Sequence, residues 1–380
     1  MKNLSIRLLV PCVVLGALTA SAQPVTMSPL TTWGTGGWLA PGAGGYAYLG
    51  TGNNERGLAY GNGHVYLVSH ASVSGTTANV RMLDPNTGAD LGGLNNSGIT
   101  GGTFLVNNIA VGGDGTIYVA NLTTSTATSA FKIYSWATEA SVPAVAYSGT
   151  GGISGARLGD DLAGIGSGAS TLLVAGYNSS PSVAGNNGFA VISPSSASAT
   201  AVGFSGTPPN AGDFRLGLTM SDSSHVLGSA GSSLYSYASF SGAAGTLVAR
   251  PAIPDPAGAT ADRLLGYTTI AGRAILAVGS VGDSHVSIYD VTDPTNPIWL
   301  ASGNNTTGSL TANGNGTGEI AWGPNVVNGD GTTSADLYTI SSNQGIQAFV
   351  VTVPEPSAIA MAGLGLALLA MCRGKRRIDR

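Results

Sequence analysis

Arg56-Gly57-Leu58-Ala59-Tyr60, a turn at Gly61-Asn62-Gly63, then His64-Val65-Tyr66-Leu67-Val68: two short strands joined by a tight hairpin. The first strand carries a polar or charged residue, a short aliphatic run and a small residue; the second alternates. The pattern returns five times. Asn108-Ile109-Ala110-Val111 precedes Thr116-Ile117-Tyr118-Val119-Ala120, and Asp161-Leu162-Ala163-Gly164-Ile165 precedes Thr171-Leu172-Leu173-Val174-Ala175. Arg215-Leu216-Gly217-Leu218 leads to His225-Val226-Leu227-Gly228, and Arg263-Leu264-Leu265-Gly266-Tyr267 to Ala274-Ile275-Leu276-Ala277-Val278. Glu319-Ile320-Ala321-Trp322 and Asp336-Leu337-Tyr338-Thr339-Ile340 form the last pair. The anchoring aliphatics Leu58, Ile109, Leu162, Leu216, Leu264 and Ile320 stand 51, 53, 54, 48 and 56 residues apart.

Each repeat offers a third strand, such as Asn79-Val80-Arg81-Met82-Leu83 or His285-Val286-Ser287-Ile288-Tyr289. Turns such as Asp84-Pro85-Asn86-Thr87-Gly88 lead to a fourth. Four strands in a unit of about 50 residues is the signature of a propeller blade. The chain is therefore expected to be all-β, a six-bladed β-propeller; a pair of β-sandwiches or a solenoid is the competing fold. Innermost strands crowd a central channel, which explains the small residues Ala59, Ala110, Ala163, Gly217 and Ala321. The last repeat ends on Gly345-Ile346-Gln347-Ala348-Phe349-Val350, with the segment from Thr31 to Leu39 expected to lend its missing strand and close the ring.

Both ends differ from this body. Lys2 and Arg7, an apolar run from Leu8 to Leu18 and the small residues Ala20-Ser21-Ala22 read as a signal peptide over 1–22, cut after Ala22. The body is expected over 23–352, with a separate segment over 353–380. That segment opens on Val353, Pro354, Glu355 and Pro356, whose prolines favour an extended, accessible hinge. An uncharged stretch over 357–372 follows, expected as a single hydrophobic helix, and then the basic residues Arg373, Lys375, Arg376, Arg377 and Arg380. Motif, span and basic tail in this order resemble the PEP-CTERM sorting signal of exported Gram-negative bacterial proteins. The resemblance implies processing by an exosortase-type enzyme in an exopolysaccharide-making bacterium. It also implies transient inner-membrane anchoring through the helix, with the basic end in the cytoplasm, before the protein reaches the cell surface or the medium. The body resembles, in pattern only, the secreted β-propeller domains of unassigned function that accompany such tails.

Seven of the fifteen basic residues and two of the nineteen acidic ones fall in the end segments, leaving a body near −9. That balance argues against nucleic acid or anionic lipid as a partner. Cys12 and Cys372 both lie in the end segments, so the body holds no disulfide and no Cys-ligated zinc.

Charge is scarce, at 9% of residues, yet it gathers at the start of the inner strands: Glu55 and Arg56, Asp160 and Asp161, Asp213 and Arg215, Asp262 and Arg263, and Glu319. Equivalent positions of successive blades meet around one channel mouth. Arg56, Asp161, Arg215, Arg263 and Glu319 therefore form a candidate ligand-binding ring, suited to a sugar or a cation. The same charges would equally serve to pair blade with blade. No catalytic motif occurs, and no cofactor is implied. His64, His70, His225 and His285 lack metal-ligand spacing, and the Gly-Asn loops at 313–319 and 328–331 read as tight turns. Trp33, Trp38, Tyr46 and Tyr48 are expected to pack against the closing blade. The body is thus expected to bind an exopolysaccharide or a surface protein. The alternative is a polysaccharide hydrolase or lyase working at the channel mouth.

Overall fold

In the computed structural model, Glu55–Gly61 pairs antiparallel with His64–Ser69, Tyr60 standing opposite Val65 and Gly61 opposite His64. Asn62 and Gly63 both take positive φ (52° and 80°), the conformation a two-residue hairpin needs to match the twist of its strands. Asn79–Leu83 and Asp90–Gly93 complete a four-stranded antiparallel sheet. The structure describes residues 24–178, 188–204, 212–232, 234–254 and 261–355, and one compact unit spans Val25–Glu355.

The chain is all-β, with almost no helix and a propeller-like arrangement. Four of its five sheets are blades of four antiparallel strands along their main path; the three beyond the first start from Phe104–Val111, Asp262–Ile270 and Gly318–Trp322. Six separate blades were expected, and here the hydrogen bonding differs. The third and fourth repeats share one nine-stranded sheet, because Ser198–Phe204 runs parallel beside Ala244–Ala249, Gly203 opposite Ala244 and Phe204 opposite Gly245. A side chain at Gly245 would sit 2.8 Å from the Val202 methyl and 3.0 Å from the Phe204 ring, so the bare backbone is what lets the two edges meet. The expected C-terminal helix and the signal peptide lie outside the described residues. Among the described residues no helix is long and apolar enough to cross a membrane.

The inner strands pack on one another in chain order, Glu55–Gly61 on Phe104–Val111 and so on, until Gly318–Trp322 returns to Glu55–Gly61. Ala59, Ala110, Ala163 and Ala321 line the channel they enclose, as the crowding argument requires. The core is divided into apolar clusters wedged between neighbouring sheets. Tyr66, Val68, Val106, Ile117 and Trp136 fill the gap between the first two sheets, and Leu264, Ile275, Ile320, Phe349 and Val351 that between the last two.

Ring closure uses the N-terminal segment but places it differently from expectation. Thr26–Pro29 supplies the extra strand, Thr26 opposite Thr352 and Pro29 opposite Phe349, while Trp38–Leu39 pairs further along the same edge with Gln347 and Ile346. Between them Trp33 leaves the edge to be fully buried against Tyr338, its ring centroid 5.1 Å away, which breaks any single strand over Thr31–Leu39. Trp38 donates to the Gln344 carbonyl at 2.9 Å, and Tyr46 stacks on Tyr48. The aromatic cluster is packing for the closing blade.

Candidate functional site

The loops that precede the inner strands converge on a cavity of about 410 Å³. Arg56, Phe104, Arg157, Asp160 and Arg215 line it, with the loop Gly314, Asn315 and Thr317 at one side. Arg157 grips Asp160 through two bonds of 2.5 Å, and Arg215 Nε stands 3.8 Å from the same carboxylate. Arg56 is buried; its Nη1 donates to Thr317 Oγ1 at 2.6 Å, its guanidinium lies 5.8 Å from the Phe104 centroid, and its Nε has no hydrogen-bond partner. Arg263 braces the rim by donating to the carbonyls of Gly316 (3.1 Å) and Ala230 (3.0 Å). Asn313 folds that rim into a tight turn, with its Nδ2 2.6 Å from the Thr317 carbonyl and its Oδ1 accepting from the Thr317 amide.

Beneath the mouth sits a second, buried layer. Asp161 and Glu319 are in hydrogen-bond contact, and Asn108 Nδ2 reaches Glu319 Oε2 at 3.0 Å and Asp161 Oδ1 at 3.4 Å. Burial pushes Asp161 up to about 7 and Glu319 well above the usual carboxylate range, where the Asp161 charge raises it further. Burial thus favours a shared proton, with Glu319 as donor and Asp161 as acceptor. Glu319 also lines the channel cavity of about 300 Å³. The position occupied by Asn108 in the second repeat belongs to Gly57 in the first. A side chain at Gly57 would stand 2.8 Å from Asn108 Cα, so only one of the two strands can carry a polar group there.

The five-membered ring anticipated from sequence thus separates by depth. Arg56 and Arg215 reach the cavity, Arg263 supports its rim, and Asp161 and Glu319 are withdrawn below it. Phe104 and Arg157 were not among the expected residues, because both lie off the repeat position that marks the others. Asn108 could have been found, since it precedes Ile109 as Glu319 precedes Ile320. Asp213, also expected at the mouth, instead pairs with Arg250 at 3.0 Å.

The sorting motif shows a further difference from expectation. The last strand runs Ile346–Pro354, past the expected end at Val350, and pairs Thr333 with Val353 and Thr332 with Pro354. Val353 is 1% exposed within the last apolar cluster. Glu355 donates its amide to the Gly331 carbonyl at 3.1 Å and accepts from Thr333 Oγ1 at 3.1 Å. The first three motif residues are zipped to the sheet and do not form a free hinge, because Val353 has an apolar slot and Pro354 terminates a strand edge where its missing N–H costs little. Pro356 and the basic tail lie outside the described residues.

Comparison with known proteins follows this division. Residues 352–377 match the PEP-CTERM protein-sorting motif, which implies an exported protein processed at a membrane by an exosortase. No curated protein matches the chain. Among solved structures, a DUF4623 family protein from Bacteroides eggerthii is similar at 18% identity and a TM-score of 0.56, over 80% of this chain and 71% of that one. The Malassezia sympodialis allergen Mala s 1 is similar at 10% identity and 0.48, over 78% and 91%. A periplasmic gluconolactonase from Pseudomonas aeruginosa is similar at 11% identity and 0.42, over 80% and 86%. With residues 41–297 matched, well over half its length, the chain belongs to the family described as domain of unknown function DUF4623.

Proposed function

We propose that this is an exported cell-envelope or extracellular-matrix protein whose propeller binds a saccharide at its channel mouth. In this reading 1–22 directs export, and 353–380 anchors the chain in the inner membrane until an exosortase-type enzyme releases it. The nine-stranded sheet acts as two adjoining blades, making six. Support for that count comes from the two-residue parallel joint at Gly203–Phe204 and from the inner strand Leu218–Asp222, which packs between Ala163–Ile165 and Asp262–Ile270.

The observation that carries the binding reading is the mouth itself. A half-buried aromatic ring, Phe104, shares a cavity of sugar-accommodating size with arginine forks, and an exposed Asn315 stands at the rim. Aromatic faces take the apolar side of a pyranose, while planar donors take its oxygens. The hydrolase or lyase alternative draws no support from the one carboxylate pair nearby. Asp161 and Glu319 touch each other and are buried, whereas cleavage of a glycosidic bond uses carboxyl groups roughly 5–10 Å apart flanking the substrate.

A glycan array probed with the purified full-length protein in detergent tests the reading, beside a reducing-sugar assay on any glycan retained. We expect retention without release of reducing ends, and loss of retention in Phe104→Ala. Retention unaffected by that change would move the site elsewhere, and steady release of reducing ends would favour the enzyme.

A further inference from the structure

The body has eight basic side chains against seventeen acidic ones, and four of the eight, Arg56, Arg157, Arg215 and Arg263, gather at or beside one mouth. Elsewhere the arginines are matched one to one: Arg81 with Asp90 at 2.5 Å, Arg250 with Asp213, and Arg273 with Asp290 at 3.0 Å. Among the described residues the only carboxylate lining the cavity at the mouth is Asp160, and Arg157 already engages both its oxygens. Arg215 is left with one contact at 3.8 Å, its Nε without a hydrogen bond and its side chain 30% exposed. A second unpartnered Nε belongs to Arg56, whose residue is 93% buried. Burial first, and repulsion from Arg215 second, hold the Arg263 guanidinium below its ordinary range. Arg56 and Arg263 also hold the rim through Thr317, Gly316 and Ala230, but among the described residues no lining carboxylate is left over for Arg215.

We infer that the saccharide bound at this mouth carries an oxyanion, a uronate carboxylate or a sulfate ester, received by Arg215 and Arg56 beside the Phe104 ring. This rests on the saccharide reading above and adds its chemical class. A guanidinium presents parallel N–H donors at the spacing of two anion oxygens, so charge and geometry are met together. The net negative charge of the body as a whole repels polyanions, so a cationic mouth is a place where such a chain gains by docking.

The test uses the full-length protein in detergent and four probes: an oligogalacturonate, the same oligomer with its carboxyls reduced to alcohols, dextran sulfate and neutral dextran. Affinity for at least one acidic probe should exceed that for its neutral counterpart by tenfold or more and fall as salt rises. Whichever acidic probe binds identifies the oxyanion. Arg215→Gln should remove that preference, Arg215→Lys should restore part of it, and Arg273→Gln, at a distant matched pair, should leave it intact. Equal binding of acidic and neutral forms would overturn the anionic inference and leave the saccharide reading standing. Failure of all four probes and of every array glycan to bind would overturn both.

Discussion

At the scale of single residues, the buried pair and the rim arginines make separable predictions. Asp161 and Glu319 ionise near 4 in the unfolded chain, whereas burial in the fold lifts Asp161 to about 7 and Glu319 well above the usual carboxylate range, so the folded state binds more protons. Stability from the pair is therefore greatest below pH 4 and drains as pH rises. His70 runs the other way. Burial first, and Arg56 second, lower it to about 4, so stability is lost as pH falls from about 6.5 toward 4. Above about pH 6.5 the His70 contribution is complete while that of the pair continues to fall. We predict a melting temperature that falls as pH rises above about 6.5, where His70 no longer contributes, for as long as the buried pair retains its protons. Glu319→Gln should flatten the curve in thermal melts, and an unchanged slope would mean that the proton is held elsewhere. The rim arginines should behave unalike. Arg263→Ala strands two carbonyls and should cost about 1–3 kcal/mol, a drop of several degrees in a melt. Arg215→Ala breaks only a long contact and should leave the melt within about a degree while weakening ligand.

At the scale of elements, the last strand decides how body and sorting signal join. Truncation after Thr352 removes Val353 from its apolar slot together with two rungs of the sheet, whereas truncation after Glu355 removes neither. We predict that the shorter product melts several degrees below the longer one, and that Val353→Ala alone costs about 2 kcal/mol. Equal melts for the two truncations would show that the zipped end contributes nothing. The strand's extension could be read only in retrospect. Val351-Thr352-Val353 alternates as a strand should, but Pro354 and Pro356 signal an end, and nothing local says which signal prevails. Tertiary burial of Val353 settles it. The closing edge differs from expectation for a similar reason: Trp33 is needed inside, so within 31–39 only Trp38–Leu39 pairs with the last strand, and the less conspicuous Thr26–Pro29 takes the rest of the edge.

At the scale of the whole molecule, the inner-strand repeats were legible because each couples an aliphatic anchor to a small channel residue, as Leu58 with Ala59 and Ile320 with Ala321. The sheet count was not, since the joint at Phe204 and Gly245 depends on two outer edges whose approach no local pattern encodes. The candidate site was half legible. Repeat equivalence brought Arg56, Arg215, Asp161 and Glu319 to one end of the channel, but their division into open mouth and buried pair follows from depth, which spacing does not convey. The central claim is that the mouth is where ligand binds. Hydrogen–deuterium exchange on the full-length protein, with and without a saturating acidic oligosaccharide, tests it most directly. The account predicts added protection confined to amides around 101–104, 157–161, 212–216 and 313–317. Protection centred on outer strands or on the far end of the channel would contradict it.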